Sequence, residues 1–176
     1  NDGLLVNTEI LYLKATQEIL SELGIDIPVE WYAQKSLGEG RSAFELATAK
    51  GITDDVIEKS RFKRNERYAE FLREGVPFMD GVPEVLDKLY GNIFMAVVTG
   101  SRKEHFEIIL EQTGMRKYFS FMITADDVKN QKPHPEPYIK ALELSGYKKA
   151  ECLVLEDSRR GTMAAKAAGL TCYAIP

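Results

Sequence analysis

Residues 93–101 read IFMAVVTGS, and this segment carries the strongest fold signal in the 176-residue chain. Six apolar residues run without interruption from Ile93 to Val98, and two hydroxyl residues separated by a glycine follow them. An apolar run without polar alternation is typical of a strand that is buried on both faces, as in a parallel sheet. The run is far shorter than the roughly 20 residues that a membrane-spanning helix requires. The segment therefore predicts a buried parallel strand that ends in a polar turn.

The chain after residue 81 alternates between helical patterns and short apolar runs. We predict helices at 83–89, 103–112, 136–144 and 162–168, and strands at 93–98, 119–124, 152–155 and 172–175. Three of the helices are followed closely by a glycine, which commonly ends a helix. Strands separated by helices of about ten residues indicate an α/β fold, a Rossmann-like doubly wound parallel sheet with helices on both faces. Ligands of such sheets bind at the carboxyl ends of the strands.

The segment from residue 10 to residue 74 has helical patterns only. Apolar residues recur at four-residue steps between residues 11 and 23, and the pattern stops at Gly24. Further helices are predicted at 28–37, at 42–50, and from the N-cap Thr53 to residue 74. The periodicity of the apolar residues changes at 75–81, so the sequence predicts two regions of different architecture.

Composition and charge narrow the class of protein. Hydrophobic residues make up 44% of the chain, which is enough for one core, or for a core with a small accessory lobe. The net charge of -4 argues against a general binder of nucleic acid or anionic membranes, because those proteins need a broad positive surface. No signal-peptide pattern opens the sequence. Cys152 and Cys172 lie in short apolar segments and are interpreted as reduced core residues, so we expect a cytoplasmic protein.

Polar residues lie after three successive predicted strands, and they are of the kinds that bind phosphate and a divalent metal. They are Thr99-Gly100-Ser101 after the first strand, Lys132 in the loop after the second, and Glu156-Asp157 after the third. The Thr99 hydroxyl and the N–H groups of Gly100 and Ser101 can bind phosphoryl oxygens, whose charge a lysine can neutralise. The two carboxylates are ligands of the kind that Mg²⁺ prefers. Taken alone, each group is more simply a turn, an exposed loop or a helix cap. Their order at successive strand ends favours a joint site.

Four ordered segments resemble the motifs of the haloacid dehalogenase-like hydrolase superfamily, in the branch of beta-phosphoglucomutase and sugar-phosphate phosphatases. The resemblance covers nearly the whole chain. The segments are residues 1–9 (NDGLLVNTE), 97–101 (VVTGS), 132–138 (KPHPEPY), and 155–161 (LEDSRRG) continuing to AAKAAG at 164–169. The resemblance implies that residues 1–8 begin the core, that 9–75 form an inserted helical cap, and that 76–176 complete the α/β core.

The chain departs from the family pattern at two places. The nucleophilic aspartate of the family would directly precede Asn1, and Asn7 stands where an acidic residue is usual. In the family fold the strand that leads to this aspartate lies between the strands ending at Val98 and Leu155. Without it, those two strands would stand about 10 Å apart, twice the usual spacing, and could not pair. We therefore expect the natural protein to begin upstream with a short apolar strand that ends in aspartate.

The resemblance implies phosphoryl transfer through an aspartyl-phosphate intermediate. Asp2 would be the general acid and then the general base. Mg²⁺ would be held by the upstream aspartate, Asp2 and Asp157, with Glu156 arranging its waters. Thr99, Gly100, Ser101 and Lys132 would bind the phosphoryl oxygens.

Residues 38–42 (GEGRS) look like the cap loop in which related enzymes place an arginine on the non-reacting phosphate of the substrate. Arg41 matches that position, and the alternative is an ordinary arginine at the start of a helix. Other conspicuous residues are predicted to be structural. We expect a solvated, ion-paired face at Arg61, Lys63, Arg64 and Arg67, packing roles for Trp31 and Tyr32, structural histidines at 105 and 134, and caps or turns at Asp126 and Asp127.

The functional hypothesis is a Mg²⁺-dependent phosphatase of a small phosphorylated sugar or similar metabolite. Its close alternative is a phosphomutase, which differs only in the group that receives the phosphoryl. An alternative of another class is a non-catalytic relic that binds a phosphometabolite or a protein, and a dehalogenase would have no use for the acidic pair. We expect a monomer with a small phosphorylated partner and with neither nucleic acid nor membrane.

Overall fold

The computed structural model describes residues 2–175, and these form two compact units. The α/β unit consists of the residues up to Asn7 together with those from Val76 onward, and the helical unit consists of Thr8–Gly75. The chain therefore passes between the units twice. That the helical unit acts as a cap stays a prediction.

The helical unit is built on a pair of long helices that pack against each other, α1 and α4. Its elements are α1 (Glu9–Glu22), α2 (Val29–Trp31), a π-helical turn (Tyr32–Gly38), α3 (Glu45–Ala49) and α4 (Asp54–Glu74). The core of this unit includes Leu20, Tyr32 and Phe44, with Trp31 packed against it, so the predicted packing roles of Trp31 and Tyr32 are confirmed.

Two predicted helices of this unit were wrong in extent. The segment predicted as one helix at 28–37 is a single α-turn followed by the wider π-helical turn, which ends before Gly40 at a φ of +72°. The helix predicted at 42–50 begins only at Glu45, because the N–H groups of Glu45 and Leu46 donate to carbonyls three residues back, which makes the preceding residues a turn.

The α/β unit has the predicted alternation of helices and strands. Its elements are α5 (Val82–Leu89), β1 (Ala96–Val98), α6 (Lys103–Thr113), β2 (Phe121–Ile123), α7 (Glu136–Ser145), β3 (Leu153–Glu156), α8 (Arg159–Ala167) and β4 (Thr171–Ala174), with short 3₁₀ turns at Met115–Tyr118, Ala125–Asp127 and Lys149–Glu151. The strand predicted at 93–98 is shorter, and α8 begins before the predicted residue 162. The Ser158 hydroxyl explains the early start, because it accepts the N–H of Gly161 and caps the helix.

The strands form two separate parallel pairs. β1 pairs with β2, with Val97 opposite Met122, and β3 pairs with β4, with Val154 opposite Cys172. Within residues 2–175 no ladder joins β1 to β3, as expected of strands that are not direct neighbours. The predicted cover on both faces is incomplete over the described residues, because Leu153, Leu155 and Tyr173 are about half exposed.

Both cysteines are free thiols, as predicted. Cys152 and Cys172 pack against a buried cluster that joins α7 to α8 and includes Tyr138, Ala164 and Ala165. Burial raises the pKa of both thiols. Among the described residues, no helix combines the length and the apolar character that crossing a membrane would need.

Candidate active site

The loop of the first motif is a tight turn that only glycine allows. The Gly3 N–H donates to the Val6 carbonyl at 2.9 Å, and the φ of Gly3 is +73°. A Cβ at this position would also lie closer than 3.0 Å to the Asp157 carboxylate. Val6 is fully buried and anchors the loop through bridges to Asp2 and Phe78. The loop therefore brings the first and fourth motifs into direct contact.

A chain of hydroxyl groups connects the first motif to the end of β1. The Ser101 hydroxyl donates to Asp2 Oδ2 at 2.7 Å, and the Thr99 hydroxyl donates to Ser101 Oγ at 2.9 Å. The Ser101 N–H, predicted to bind a phosphoryl oxygen, instead donates to Thr99 Oγ1 at 3.1 Å and closes the turn. Thr99 is buried and Gly100 is exposed. The predicted general acid thus lies beside the predicted phosphate-binding turn.

Lys132 contacts the last residues of both β1 and β3. Its ammonium group donates to the Val98 carbonyl at 2.9 Å and to Glu156 Oε1. The Lys132 and Glu156 side chains are 13% and 7% exposed, so water screens this ion pair weakly. A buried charge needs such a partner because its transfer from water is costly.

The Glu156 carboxylate accepts hydrogen bonds on both oxygens. Oε1 accepts the Tyr138 hydroxyl as well as Lys132, and Oε2 accepts the Ser158 hydroxyl at 3.0 Å. Burial alone would raise the pKa of Glu156, but the charge and hydrogen bond of Lys132 and the bond from Tyr138 hold it below its usual value. Burial and the bond to Glu156 raise the pKa of Tyr138. A Cβ at Gly161 would lie closer than 3.0 Å to this carboxylate, so α8 approaches it without a side chain in between.

Asp157 has the opposite electrostatic environment. Burial raises the pKa of Asp157, and the negative charges of Glu156 and Asp2 raise it further. Within the described residues, no three His, Cys, Asp or Glu side chains form a group that could hold a metal ion by themselves. Mg²⁺ usually takes only one or two carboxylates and completes its shell with water and substrate phosphate. Asp2 and Asp157 fit that requirement, because a cation would relieve the repulsion between them.

The structure brings most of the predicted site residues together in the α/β unit: Asp2, Thr99, Ser101, Lys132, Glu156 and Asp157. Gly100 lies in the same turn. Arg41 belongs to the helical unit, where its exposed guanidinium pairs with Glu45 at 2.7 Å and contributes to holding the pKa of Glu45 below its usual value.

Sequence reasoning assigned no role to three residues around Glu156. Tyr138 and Ser158 donate to its carboxylate, and Gly161 leaves room for it. Their signal was present, since all three lie in the third and fourth motifs. Only the packing of α7 beside α8 shows that they meet at one carboxylate.

One prediction for the basic residues of α4 was wrong. Arg64 is buried, and its guanidinium lies 4.3 Å from the centre of the Tyr12 ring. The other members pair with carboxylates as predicted: Arg61 with Glu58, Lys63 with Glu22, and Arg67 with Glu18 and Glu70. The alternating charges along α4 suggest a solvated face, but they give no sign of the Tyr12 ring of α1 that covers Arg64.

The remaining structural predictions are confirmed. The Asp126 carboxylate accepts the N–H of Lys103 at 2.7 Å at the start of α6, and the Asp127 carboxylate accepts the hydroxyl and the N–H of Thr124. These bonds lower the pKa of Asp127. His105 is buried in α6, and Nδ1 of His134 accepts the N–H of Glu136.

Comparisons with known proteins place these features in a family context. A sequence model of the haloacid dehalogenase-like hydrolases matches residues 2–175. Fructose-1-phosphate phosphatase YqaB of Escherichia coli (strain K12) is 29% identical over 178 residues, which cover 96% of this chain and 89% of that protein. A CbbY variant from Rhodobacter sphaeroides, solved in complex with xylulose-(1,5)bisphosphate, has a TM-score of 0.80 at 26% identity and covers 98% of this chain and 81% of its own.

The beta-phosphoglucomutase of Clostridium difficile has a TM-score of 0.81 at 20% identity, over 99% of this chain and 81% of its own. At that level of identity the likeness concerns the fold alone. The Rossmann-like α/β fold predicted from the strand pattern is therefore confirmed by solved structures.

Proposed function

This chain belongs to the haloacid dehalogenase-like hydrolase family, and on that premise we propose that it is a Mg²⁺-dependent phosphatase of a small phosphorylated sugar or similar metabolite. The observation that carries the proposal is the continuous set of contacts from Asp2 through Ser101 to Thr99, next to the buried Lys132–Glu156 pair. Acid, hydroxyls, a cation and a second carboxylate are the groups that phosphoryl transfer uses for positioning and charge neutralisation.

The phosphate-binding turn and Lys132 would hold the phosphoryl oxygens. The Thr99 hydroxyl would turn from Ser101 to the substrate, Gly100, an exposed residue, offers its backbone N–H, and Lys132 offers an ammonium group that is held in place by Val98 and Glu156. Because the Lys132 ammonium group is held in place before substrate arrives, this donor needs little reorganisation as charge shifts in the transition state.

Asp2 would move the proton. Its carboxyl group would protonate the leaving oxygen of the ester and would then take a proton from the water that releases the phosphate. The hydrogen bond from Ser101 to Oδ2 keeps this carboxyl aimed at the turn. The nucleophile would be the aspartate expected directly before Asn1, and an aspartyl-phosphate would divide one difficult step into two easier ones.

The side chain of Asp157 and the backbone carbonyl of Asp2 would hold Mg²⁺, which would neutralise charge on the phosphoryl group. The raised pKa of Asp157 supports this assignment, since a cation favours the ionised form of a carboxyl that its neighbours disfavour. Glu156 was grouped with the metal residues from the sequence. Its oxygens already accept from three protein donors, so it would act by fixing Lys132 and by arranging the waters of the metal.

Relatives support a phosphosugar substrate. The related phosphatase of Escherichia coli takes its name from fructose-1-phosphate, and the related CbbY structure holds a sugar bisphosphate. Arg41 is our candidate for an anionic group of the substrate remote from the reaction.

The test is a panel of phosphorylated sugars with the full-length protein and Mg²⁺, followed by ³¹P NMR. Release of inorganic phosphate indicates a phosphatase, whereas an isomerised ester indicates a phosphomutase. Asp2→Ala should abolish turnover, and unchanged phosphate release in that variant would refute the mechanism. Binding without turnover in the wild-type protein would favour the non-catalytic alternative.

Arg41→Ala should raise KM for bisphosphates and leave monophosphates unaffected. Lys35→Ala is the matched control, because Lys35 is also a cation of the helical unit that pairs with a carboxylate four residues on. If the two variants change KM for bisphosphates equally, Arg41 is not a substrate-binding residue.

A further inference from the structure

We propose that Tyr138 positions the Lys132 ammonium group toward the phosphoryl group. It does so by donating to the same Glu156 carboxylate oxygen, which would otherwise bind the Lys132 ammonium group more tightly. This inference rests on the proposed function and adds a residue to it. Tyr138 acts through the Glu156 carboxylate and not on the substrate, so its role is to position.

The geometry around Tyr138 sets up a competition for one oxygen atom. The Tyr138 hydroxyl and the Lys132 ammonium group both donate to Oε1 of Glu156. The Lys132 ammonium also lies 5.0 Å from the centre of the Tyr138 ring. Tyr138 is 4% exposed and packs against Ala164 and Ala165, so its hydroxyl has little freedom to leave Oε1.

The inventory of ammonium protons shows what this sharing achieves. An ammonium group has three N–H donors. One donates to the Val98 carbonyl and one to Glu156, and within the described residues no acceptor takes the third. The third N–H is the one left for a phosphoryl oxygen. The tyrosine hydroxyl neutralises part of the negative charge on Oε1, so the attraction between Glu156 and Lys132 weakens. The Lys132 ammonium group can then interact more strongly with the phosphoryl oxygen.

Low solvent exposure makes the competition matter. Lys132 and Glu156 are both nearly buried, so changes in one hydrogen bond are not compensated by water. In an exposed pair, water would replace the hydroxyl and the effect on the lysine would vanish.

The chain contains a matched control for this arrangement. Tyr118 also donates to a carboxylate, Asp87 Oδ1, at 2.5 Å, and the Lys117 ammonium lies 4.7 Å from the centre of its ring. The same three chemical groups therefore meet at Tyr118, outside the site, where Asp87 and Lys117 are exposed to solvent and Tyr118 is half-buried. Tyr118→Phe removes the same hydroxyl without touching Lys132.

The experiment measures the dissociation constant of inorganic phosphate for the full-length protein by calorimetry, with and without Mg²⁺. Tyr138→Phe keeps the ring and its packing and removes only the hydroxyl. We expect phosphate to bind about tenfold more weakly, the order of one hydrogen bond to a charged group. Tyr118→Phe should leave phosphate binding unchanged. With a phosphosugar substrate, Tyr138→Phe should raise KM about tenfold and change kcat little, because the lost binding is common to substrate and transition state.

A second variant moves the effect in the opposite direction and keeps the fold. A fluorinated tyrosine at position 138 is a stronger hydrogen-bond donor of nearly the same size, so it should tighten phosphate binding. The ¹⁵N resonance of the Lys132 ammonium group should move in both position-138 variants and stay in place in Tyr118→Phe. The proposal would be overturned if Tyr138→Phe lowers the melting temperature but changes neither the phosphate affinity nor this resonance. Tyr138 would then be a packing residue only.

The two hypotheses fail in different ways. If no phosphate ester is hydrolysed but phosphate binding depends on the Tyr138 hydroxyl as expected, the proposed function is wrong and the positioning role stands. If esters are hydrolysed and phosphate binding ignores the hydroxyl, the positioning role is wrong.

Discussion

Gly161→Ala tests how tightly α8 is fitted against the Glu156 carboxylate. Gly161 is buried inside a regular helix, so an added methyl group meets no backbone strain. It would, however, lie closer than 3.0 Å to the carboxylate that Lys132, Tyr138 and Ser158 hold in place. The carboxylate or the helix must move, although alanine is normally the better helix former.

The expected change in the free energy of unfolding has three contributions, of which two are costs and one is a gain. Overpacking a core costs about 1–3 kcal/mol. Breaking one hydrogen bond to a charged group costs about 1.5–3 kcal/mol. The higher helix propensity of alanine returns about 1 kcal/mol. The net loss in free energy of unfolding should be about 3 kcal/mol, measured by urea denaturation and linear extrapolation.

Gly38→Ala is the control, because Gly38 is exposed and the nearest atom to an added Cβ is the Ala33 carbonyl oxygen at an ordinary 3.5 Å. It should change the free energy of unfolding by less than about 0.5 kcal/mol. A double-mutant cycle then isolates the clash. In a Lys132→Met/Glu156→Ala background the carboxylate is gone, and Gly161→Ala should be neutral or stabilising by up to about 1 kcal/mol. An equal cost of Gly161→Ala in both backgrounds would refute the steric reasoning.

Three other changes test other parts of the molecule. Gly3→Ala forces a side chain onto a φ of +73° and against Asp157, so turnover should fall at least tenfold, whereas full activity would contradict the fit described for this loop. Asp157→Asn should abolish turnover and raise the melting temperature in metal-free buffer. Because the pKa of Asp157 is raised in the folded protein, ionisation of this carboxyl destabilises the fold. The gain in melting temperature from Asp157→Asn should therefore grow as the pH rises from about 4, and a gain seen only at acid pH would contradict the prediction. Arg64→Met removes a buried guanidinium stacked on Tyr12 and should cost about 2 kcal/mol of unfolding free energy, against less than about 0.5 kcal/mol for Lys59→Met at an exposed ion pair, and equal costs would place Arg64 back on a solvated face.

The sequence predicted the α/β alternation and the positions of most site residues because those signals are local. Gly114 and Gly146 end α6 and α7 in the left-handed conformation, as their places after apolar patterns indicate. The strand-end residues were predictable because parallel strands bring their carboxyl ends to one edge.

Long-range contacts were not predictable in the same way. The burial of Arg64 depends on the Tyr12 ring of another helix, and no spacing within α4 reveals it. The role of Tyr138 depends on the packing of α7 beside α8, which places its hydroxyl on a carboxylate 18 positions further along the chain. The π-helical turn at Tyr32–Gly38 escaped prediction because its apolar spacing resembles that of an ordinary helix.

The anchoring of the first motif has a consequence for how this protein could change its specificity. The Asn7 N–H donates to the Pro77 carbonyl, the Met79 N–H donates to the Leu5 carbonyl, and Val6 forms an antiparallel bridge with Phe78. The α/β unit thus holds the two ends of the insertion side by side, as the base of a hairpin holds its loop, and here the loop is a whole folded unit. Every site residue named here except Arg41 lies outside that loop. A different helical unit, or a short linker, could be spliced into this hairpin base without altering any residue that we propose for the chemistry. On the proposed function, the choice of substrate can therefore diverge while the residues proposed for phosphoryl transfer stay constant.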